Sequence, residues 1–196
     1  LLAWFVAHGV RAQLGHTRCS YAEAAVALAA GATGFTHLYN AMTGLQHRAA
    51  GAVGCALAHA RHAELILDLQ HVEAGAVLVA LQAVPGLYAI TDAVAAAGMP
   101  DGAYRLGSHA IEKRGPTVRL ADGTLAGSVL TMDRAFANWL SLGLGPEDAV
   151  RRTSTIAADY LGLEERGRIA PGARADLVAL GPDGAVEAVW RSGRLL

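Results

Sequence analysis

Four short strand-like runs in the first half of the chain each arrive at a side chain that can take a proton or bind a metal. "VRAQLG" stops before His16, "GFTHL" carries His37, "ELILDLQ" stops before His71, and "GLYAITD" ends in Asp92. Helical patterns separate them: "YAEAAVALAA", opened by a Ser20-x-x-Glu23 capping box and closed by Gly31, and "VEAGAVLVALQAV" behind the third run. Buried-type strands alternating with helices predict parallel βαβ units, hence an α/β fold.

After Asp92 the rhythm changes. "AVAAAGMPDGAY" reads as a loop, and residues 104–120 as a hairpin turning between Lys113 and Pro116. "DGTLAGS" leads to a helix over about residues 129–142, stopped by Gly143. A further helix begins in "GPEDAVRRTSTIAADYLGL", with Pro146 near its first position and Glu147 and Asp148 in its first turn. The tail is short strands and turns, with no fixed repeat and no low-complexity linker.

Composition limits the functions open to such a fold. With 196 residues, 53% hydrophobic and 17% charged, the chain can bury the core of one domain with a small appendage. A net charge of −1 and a pI near 6.8 leave no electrostatic footprint for nucleic acid or an anionic membrane. Gln82, Pro85 and Asp92 interrupt the best candidate for a bilayer span. Cys19 and Cys55 make no disulfide framework, so a reducing, cytoplasmic location is expected. The opening "LLAWFVAHG" reads as the end of a helix and lacks an initiator Met, so the beginning is expected to be cut from something longer.

In α/β barrels the C-terminal strand ends carry the chemistry, because residues distant in sequence converge there. His16 and His37, at consecutive strand ends, can offer imidazole nitrogens to one divalent metal, with zinc expected and iron the alternative. Position alone also allows packed or capping histidines. Asp92 suits a general base beside an activated water, or equally a cap for the turn that follows it.

The segments "LGHTRCSYAEA…GATGFTHLYNAMTGLQHRAAGAVG", "LILDLQHVEAG", "AITDAVAAAGMPDG" and "DGTLAGSVLTMDRA" together resemble the N-acetylglucosamine-6-phosphate deacetylase family of metal-dependent amidohydrolases. The resemblance continues to "GRIAPGARADLVAL" in the tail. It implies a (β/α)8 barrel with a small β-sandwich, a divalent metal and an amino-sugar phosphate substrate. His16 and His37 match the two histidine ligands, and Asp92 the catalytic aspartate. His71 matches a histidine that contacts the sugar, and Asn40 and Ala41 the pair that receives the phosphate, the alanine through its backbone. Arg48 matches a phosphate-binding arginine that in the family tends to come from the neighbouring subunit of a homodimer. Leu125, Ala126, Gly127 and Ser128 match a loop that lines the substrate.

The same resemblance implies a glutamate ligand on an earlier strand, with no counterpart here. The chain therefore matches the C-terminal half of such an enzyme. Residues 1–150 correspond to about four βα units, strands five to eight of the TIM-like barrel. Residues 151–196 correspond to its last helix and the C-terminal strands of the sandwich. Glu23, in a helix turn, and Glu64, expected to start a strand, do not replace the missing ligand. The chain alone is expected to be inactive, since catalytic zinc generally takes three protein ligands. An amidohydrolase for another amide and a catalytically silent half-barrel are the alternatives. His8, His47, His59, His62 and His109 read as surface or loop residues, Cys19 as a packed thiol and Asp176 as a turn-holding carboxylate.

Overall fold

The computed structural model describes residues 1–181 and 184–196. After a short helix, α1 (Leu2–Ala7), the chain alternates strand and helix: β1 (Gln13–Leu14), α2 (Tyr21–Ala29), β2 (Gly34–Phe35), α3 (Gly51–His59), β3 (His62–Ile66), α4 (Ala74–Ala83) and β4 (Gly86–Ile90). The four strands form one parallel sheet in sequence order. The Ser20–Glu23 capping box starts α2, with both reciprocal hydrogen bonds made. α3 was not anticipated from the sequence. Its first six residues, Gly51 to Ala56, are all buried, so it shows no polar face to reveal a helical period. Gly51, at φ 60°, starts it where a Cβ would lie 2.6 Å from the Thr43 carbonyl oxygen.

Helices α2, α3 and α4 pack against one face of the sheet. They are joined there by α5 (Met132–Ser141) and α6 (Pro146–Val150). The core between these helices and the sheet is built from Phe35, Leu65, Leu67, Leu87, Val77 and Trp139, all fully buried. Past α6 the helix continues as one π-turn (Arg151–Thr155) and then α7 (Ile156–Leu161), ending at Gly162 with φ 74°. Arg152, on the π-turn, is buried. It donates to the Leu87 carbonyl (2.8 Å) and to Asp148 (3.1 Å), and its guanidinium carbon lies 5.9 Å from the Trp139 ring centre.

Between β4 and α5 the expected hairpin is instead a four-stranded antiparallel meander: β5 (Gly102–Leu106), β6 (His109–Arg114), β7 (Thr117–Leu120) and β8 (Leu125–Ser128). It has its own small core of Ala96, Ile111, Val118 and Ala126. The Leu125–Ser128 segment, expected as a loop, is thus a strand. It pairs antiparallel with β7 on one side, and Ser128 forms a parallel bridge to Ala93. The tail forms a three-stranded antiparallel sheet of β9 (Leu177–Leu180), β10 (Val186–Arg191) and β11 (Arg194–Leu195), with β10 in the middle. Asp176 holds its turn by accepting from the Ser192 amide (2.7 Å) and pairing with Arg166 and Arg174 at 3.2 Å.

Candidate active site

The candidate site lies at the C-terminal ends of the parallel strands, and the backbone there is unusual. Among the described residues seven non-glycine positions have positive φ, and six of them follow the four strands: His16 (43°), His37 (34°), Tyr39 (79°), Ala41 (51°), Leu69 (58°) and Asp92 (49°). Each of these costs energy that only surrounding structure can hold in place, and such strain gathers at functional sites. His16, His37 and Asp92, the three residues proposed from sequence for the chemistry, all sit on it.

His16 follows β1 and His37 follows β2, and their ring centres are 4.7 Å apart. The two loops are tied by a parallel bridge between Thr17 and Met42 and by the Thr43 amide donating to the Thr17 carbonyl at 3.2 Å. His16 is exposed, whereas His37 is only 5% exposed. His37 Nδ1 is buried without a hydrogen-bond partner among the described residues. An unpaired buried polar atom costs roughly 1–3 kcal/mol, which an incoming electrophile would remove. Two imidazoles thus fit two positions of a metal donor set. No group of three or more His, Cys, Asp or Glu side chains among the described residues is placed to hold an ion.

Asp92 is exposed just beyond β4, and β8 frames it. The Ser128 amide donates to the Asp92 carbonyl at 2.9 Å, the Val94 amide donates to the Ser128 carbonyl at 3.0 Å, and the Ser128 hydroxyl donates to the Thr91 carbonyl. Gly127, at φ 69°, allows this approach: a Cβ there would lie 2.5 Å from Val94 Cγ1 and 3.1 Å from the Asp92 carbonyl oxygen. The residues proposed to line a substrate therefore clamp the backbone around the proposed base.

Asn40 turns back on the β2 end, with its amide donating to the His37 carbonyl at 3.0 Å and its side chain 3.4 Å from the His37 and Leu38 carbonyls. Ala41 next to it is exposed on left-handed backbone. Tyr39 reaches away to donate to the Ala76 carbonyl at 2.8 Å, and burial raises its phenol pKa. Arg48 stands apart. It sits with His47 at the tip of a two-residue turn closed by reciprocal Gln46–Ala49 hydrogen bonds at 3.1 Å. Its guanidinium has no partner among the described residues and lines a cavity of about 650 Å³ with Arg18, Tyr21 and Glu23. His16, His37 and Asp92 do not line that cavity.

β3 departs from the sequence reading in two ways. It ends at Ile66, so His71 lies five residues past the strand rather than at its end. Glu64, expected to start the strand, is in its middle, on the face away from helices α2 to α6. There it accepts from Gln13 Nε2 and from the Tyr88 hydroxyl, both at 2.9 Å. The titratable side chain nearest the strand end is Asp68, two residues past it, whose carboxylate holds His71 Nδ1 at 2.6 Å. Asp68 was not among the sequence candidates. Its signal was readable as an aspartate accepting amides two and three residues on, in "DLQH".

A sequence profile of the amidohydrolase family matches residues 20–196. The chain belongs to the amidohydrolase family. It is 39% identical over 196 residues to the N-acetylglucosamine-6-phosphate deacetylase of Vibrio furnissii, covering 97% of this chain and 49% of that one. It is 42% identical over 190 residues to the N-acetylgalactosamine-6-phosphate deacetylase of Escherichia coli O157:H7, covering 95% and 50%. This amidohydrolase chain thus spans about half the length of those two relatives. A mutant N-acetyl-D-glucosamine-6-phosphate deacetylase from Mycobacterium smegmatis, solved in complex with N-acetyl-D-glucosamine-6-phosphate, superposes with a TM-score of 0.93 at 39% identity. That match covers 99% of this chain and 53% of the other.

Proposed function

We propose that this chain carries the C-terminal half of the active site of an N-acetylglucosamine-6-phosphate deacetylase, which releases acetate and glucosamine-6-phosphate in amino-sugar catabolism. The observation that carries the reading is the pair of strand-end imidazoles 4.7 Å apart, held with Asp92 on the strained C-terminal edge of one parallel sheet. In this reading the sheet and its helices are about four βα units of a (β/α)8 barrel, within residues 1–150. The last helix and the three-stranded tail, within 151–196, are its closing helix and part of a small β-sandwich.

His16 and His37 would hold a divalent metal, zinc in the first instance, through imidazole nitrogens. When bound, it supplies a Lewis acid that makes water nucleophilic near neutral pH. Asp92 would accept the proton of the water that attacks the N-acetyl carbonyl and deliver it to the departing amine. His71 orients the sugar. Asn40 and the Ala41 amide receive the phosphate, which Arg48 clamps with charge-assisted hydrogen bonds. Leu125 to Ser128 line the substrate and fix the backbone of Asp92. Arg48 projects from an exposed turn and lines a different cavity, so we assign it to the phosphate of a neighbouring subunit in a homodimer. No third His, Cys, Asp or Glu among the described residues joins the pair, so in this reading another ligand comes from a further segment and the chain alone would be inactive. Among the described residues no helix is long and apolar enough to cross a membrane and both thiols are free, in keeping with a cytoplasmic setting.

The relatives' names also admit the galactosamine epimer as substrate. One experiment separates these readings. N-acetylglucosamine-6-phosphate, its galactosamine epimer and unphosphorylated N-acetylglucosamine are titrated against the zinc-loaded chain by calorimetry. Binding that prefers a phosphorylated sugar and weakens in Arg48→Ala supports the deacetylase reading, and the tighter epimer names the substrate. Equal binding of phosphorylated and plain sugars would remove the phosphate clamp and leave an amidohydrolase for another amide.

A further inference from the structure

The turn that follows β3 is more elaborate than an exposed connection needs. Asp68 Oδ1 accepts the amides of Gln70 and His71, both at 2.9 Å, while Leu69, between Asp68 and Gln70, takes φ 58°. Asp68 Oδ2 meets His71 Nδ1 at 2.6 Å, and both side chains are only 7% exposed. Asn138 on α5 donates to the Leu67 carbonyl at 2.7 Å and fixes the base of the turn. The two carboxylate oxygens therefore do separate tasks. One closes the backbone turn and the other grips a ring.

Burial alone would raise the Asp68 carboxyl pKa. The hydrogen bonds from the His71 ring and from the His71 and Gln70 amides, with the nearby imidazole charge, outweigh it and hold the group below the usual aspartate value. A carboxylate has no proton to give, so the Nδ1 facing it must be the protonated nitrogen. In the neutral ring Nε2 is then a bare acceptor, and it has no partner among the described residues. We propose that Asp68 is a positioning residue: it fixes the ring plane of His71 and the Nδ1–H tautomer, leaving Nε2 as a hydrogen-bond acceptor turned to the substrate. The substrate half of that statement rests on the reading of His71 as a sugar contact. The tautomer half rests only on the geometry of this turn.

Asp68→Asn separates a ring-setting role from a merely turn-closing one. The amide oxygen keeps both backbone N–H bonds, and the NH2 group then faces Nδ1 and can only donate to it. Nδ1 must become the acceptor and the proton must move to Nε2, the logic by which an aspartate-to-asparagine change traps a wrong histidine tautomer in serine proteases. The measurement is a long-range 1H–15N imidazole correlation on the labelled full chain, at a pH alkaline enough to leave the ring neutral. The expected result is an Nδ1–H signature for His71 in the parent and Nε2–H in Asp68→Asn, with backbone amide shifts outside residues 66–72 unchanged. The same tautomer in both proteins would overturn the proposal. In the second arm, N-acetylglucosamine-6-phosphate is titrated into both proteins, and affinity is expected to fall roughly tenfold in the variant. A switched tautomer with unchanged affinity upholds the positioning role and removes His71 from the sugar contact, so the two readings fail separately.

Discussion

The two ends of the parallel sheet are built on opposite terms. Toward the N-terminal ends and along the open face, polar side chains are satisfied by one another. Glu64 accepts from Gln13 and Tyr88, and the Thr33 and Tyr160 hydroxyls meet at 2.6 Å. His62 and Arg11 pack on the Tyr160 ring. At the C-terminal ends, six non-glycine residues hold left-handed backbone, His37 keeps a buried nitrogen without a partner, and Asp92 is exposed. One end spends its polar groups on holding the sheet together. The other leaves His37 Nδ1 unpaired and Asp92 exposed, for a ligand in the proposed reading, and carries the strained backbone.

If the comparison is right, substitutions at the two ends fail in different currencies. The largest effect belongs to Asp92→Asn. In a polypeptide that turns over the sugar phosphate, kcat should fall by about two to four orders of magnitude, the range for a general acid–base group, with the melting temperature held or raised. An almost normal kcat would make Asp92 a turn residue. At the opposite end, Tyr88→Phe leaves the half-buried Glu64 carboxylate with one donor fewer and should lower stability by about 1–3 kcal/mol in chemical denaturation. The Tyr88 phenol is driven far above its ordinary pKa by burial and by the Glu64 charge, so it remains a donor at any working pH. Sugar-phosphate affinity should not change. A variant that lost affinity but not stability would erase the distinction between the ends.

How much of this was legible in the sequence depends on range. The capping box at Ser20, the proline start at Pro146 and the strands before His16 and Asp92 are local signals, and each appears where its residues put it. α3 escaped because a helix buried over most of its length has no amphipathic period. Leu125–Ser128 was expected as a loop from the family resemblance, whereas it is a strand in which Gly127 permits close approach to the Asp92 backbone. Pattern places His16 and His37 at strand ends, but the 4.7 Å between their rings is tertiary. Left-handed φ at histidine and aspartate is favoured by residue type but not fixed by it, and it is the feature that best marks this edge.

Asp68 offers a pH test within the strained end. Its carboxyl is held below the unfolded value near 4, so the stability it adds is complete above that pH and is lost as pH falls through the lower folded value. Asp68→Asn, which cannot titrate, should be less stable than the parent by about 1–2 kcal/mol at neutral pH. The gap should close below about pH 4. Denaturation midpoints at pH 7 and pH 3 measure it, and a gap of equal size at both would mean that Asp68 is held only by its neutral turn bonds.

The smallest effect is the most direct probe of strain itself. Ala41 sits at φ 51°, is exposed, and is assigned a role only through its backbone amide. Left-handed backbone costs a residue with a Cβ roughly 1–2 kcal/mol, and glycine avoids that penalty. Glycine also makes the unfolded chain more flexible, which takes back about 0.4–1 kcal/mol. Ala41→Gly should therefore raise stability by a few tenths to about 1 kcal/mol, while the amide that would meet the phosphate is kept. Calorimetric unfolding and the sugar-phosphate titration together decide the matter. A loss of stability would mean that the Ala41 methyl packs usefully and that the left-handed turn is cheap. A gain in stability with a clear loss of affinity would mean that the same strain holds the amide in place for its ligand, joining the cost of this edge of the sheet to its use.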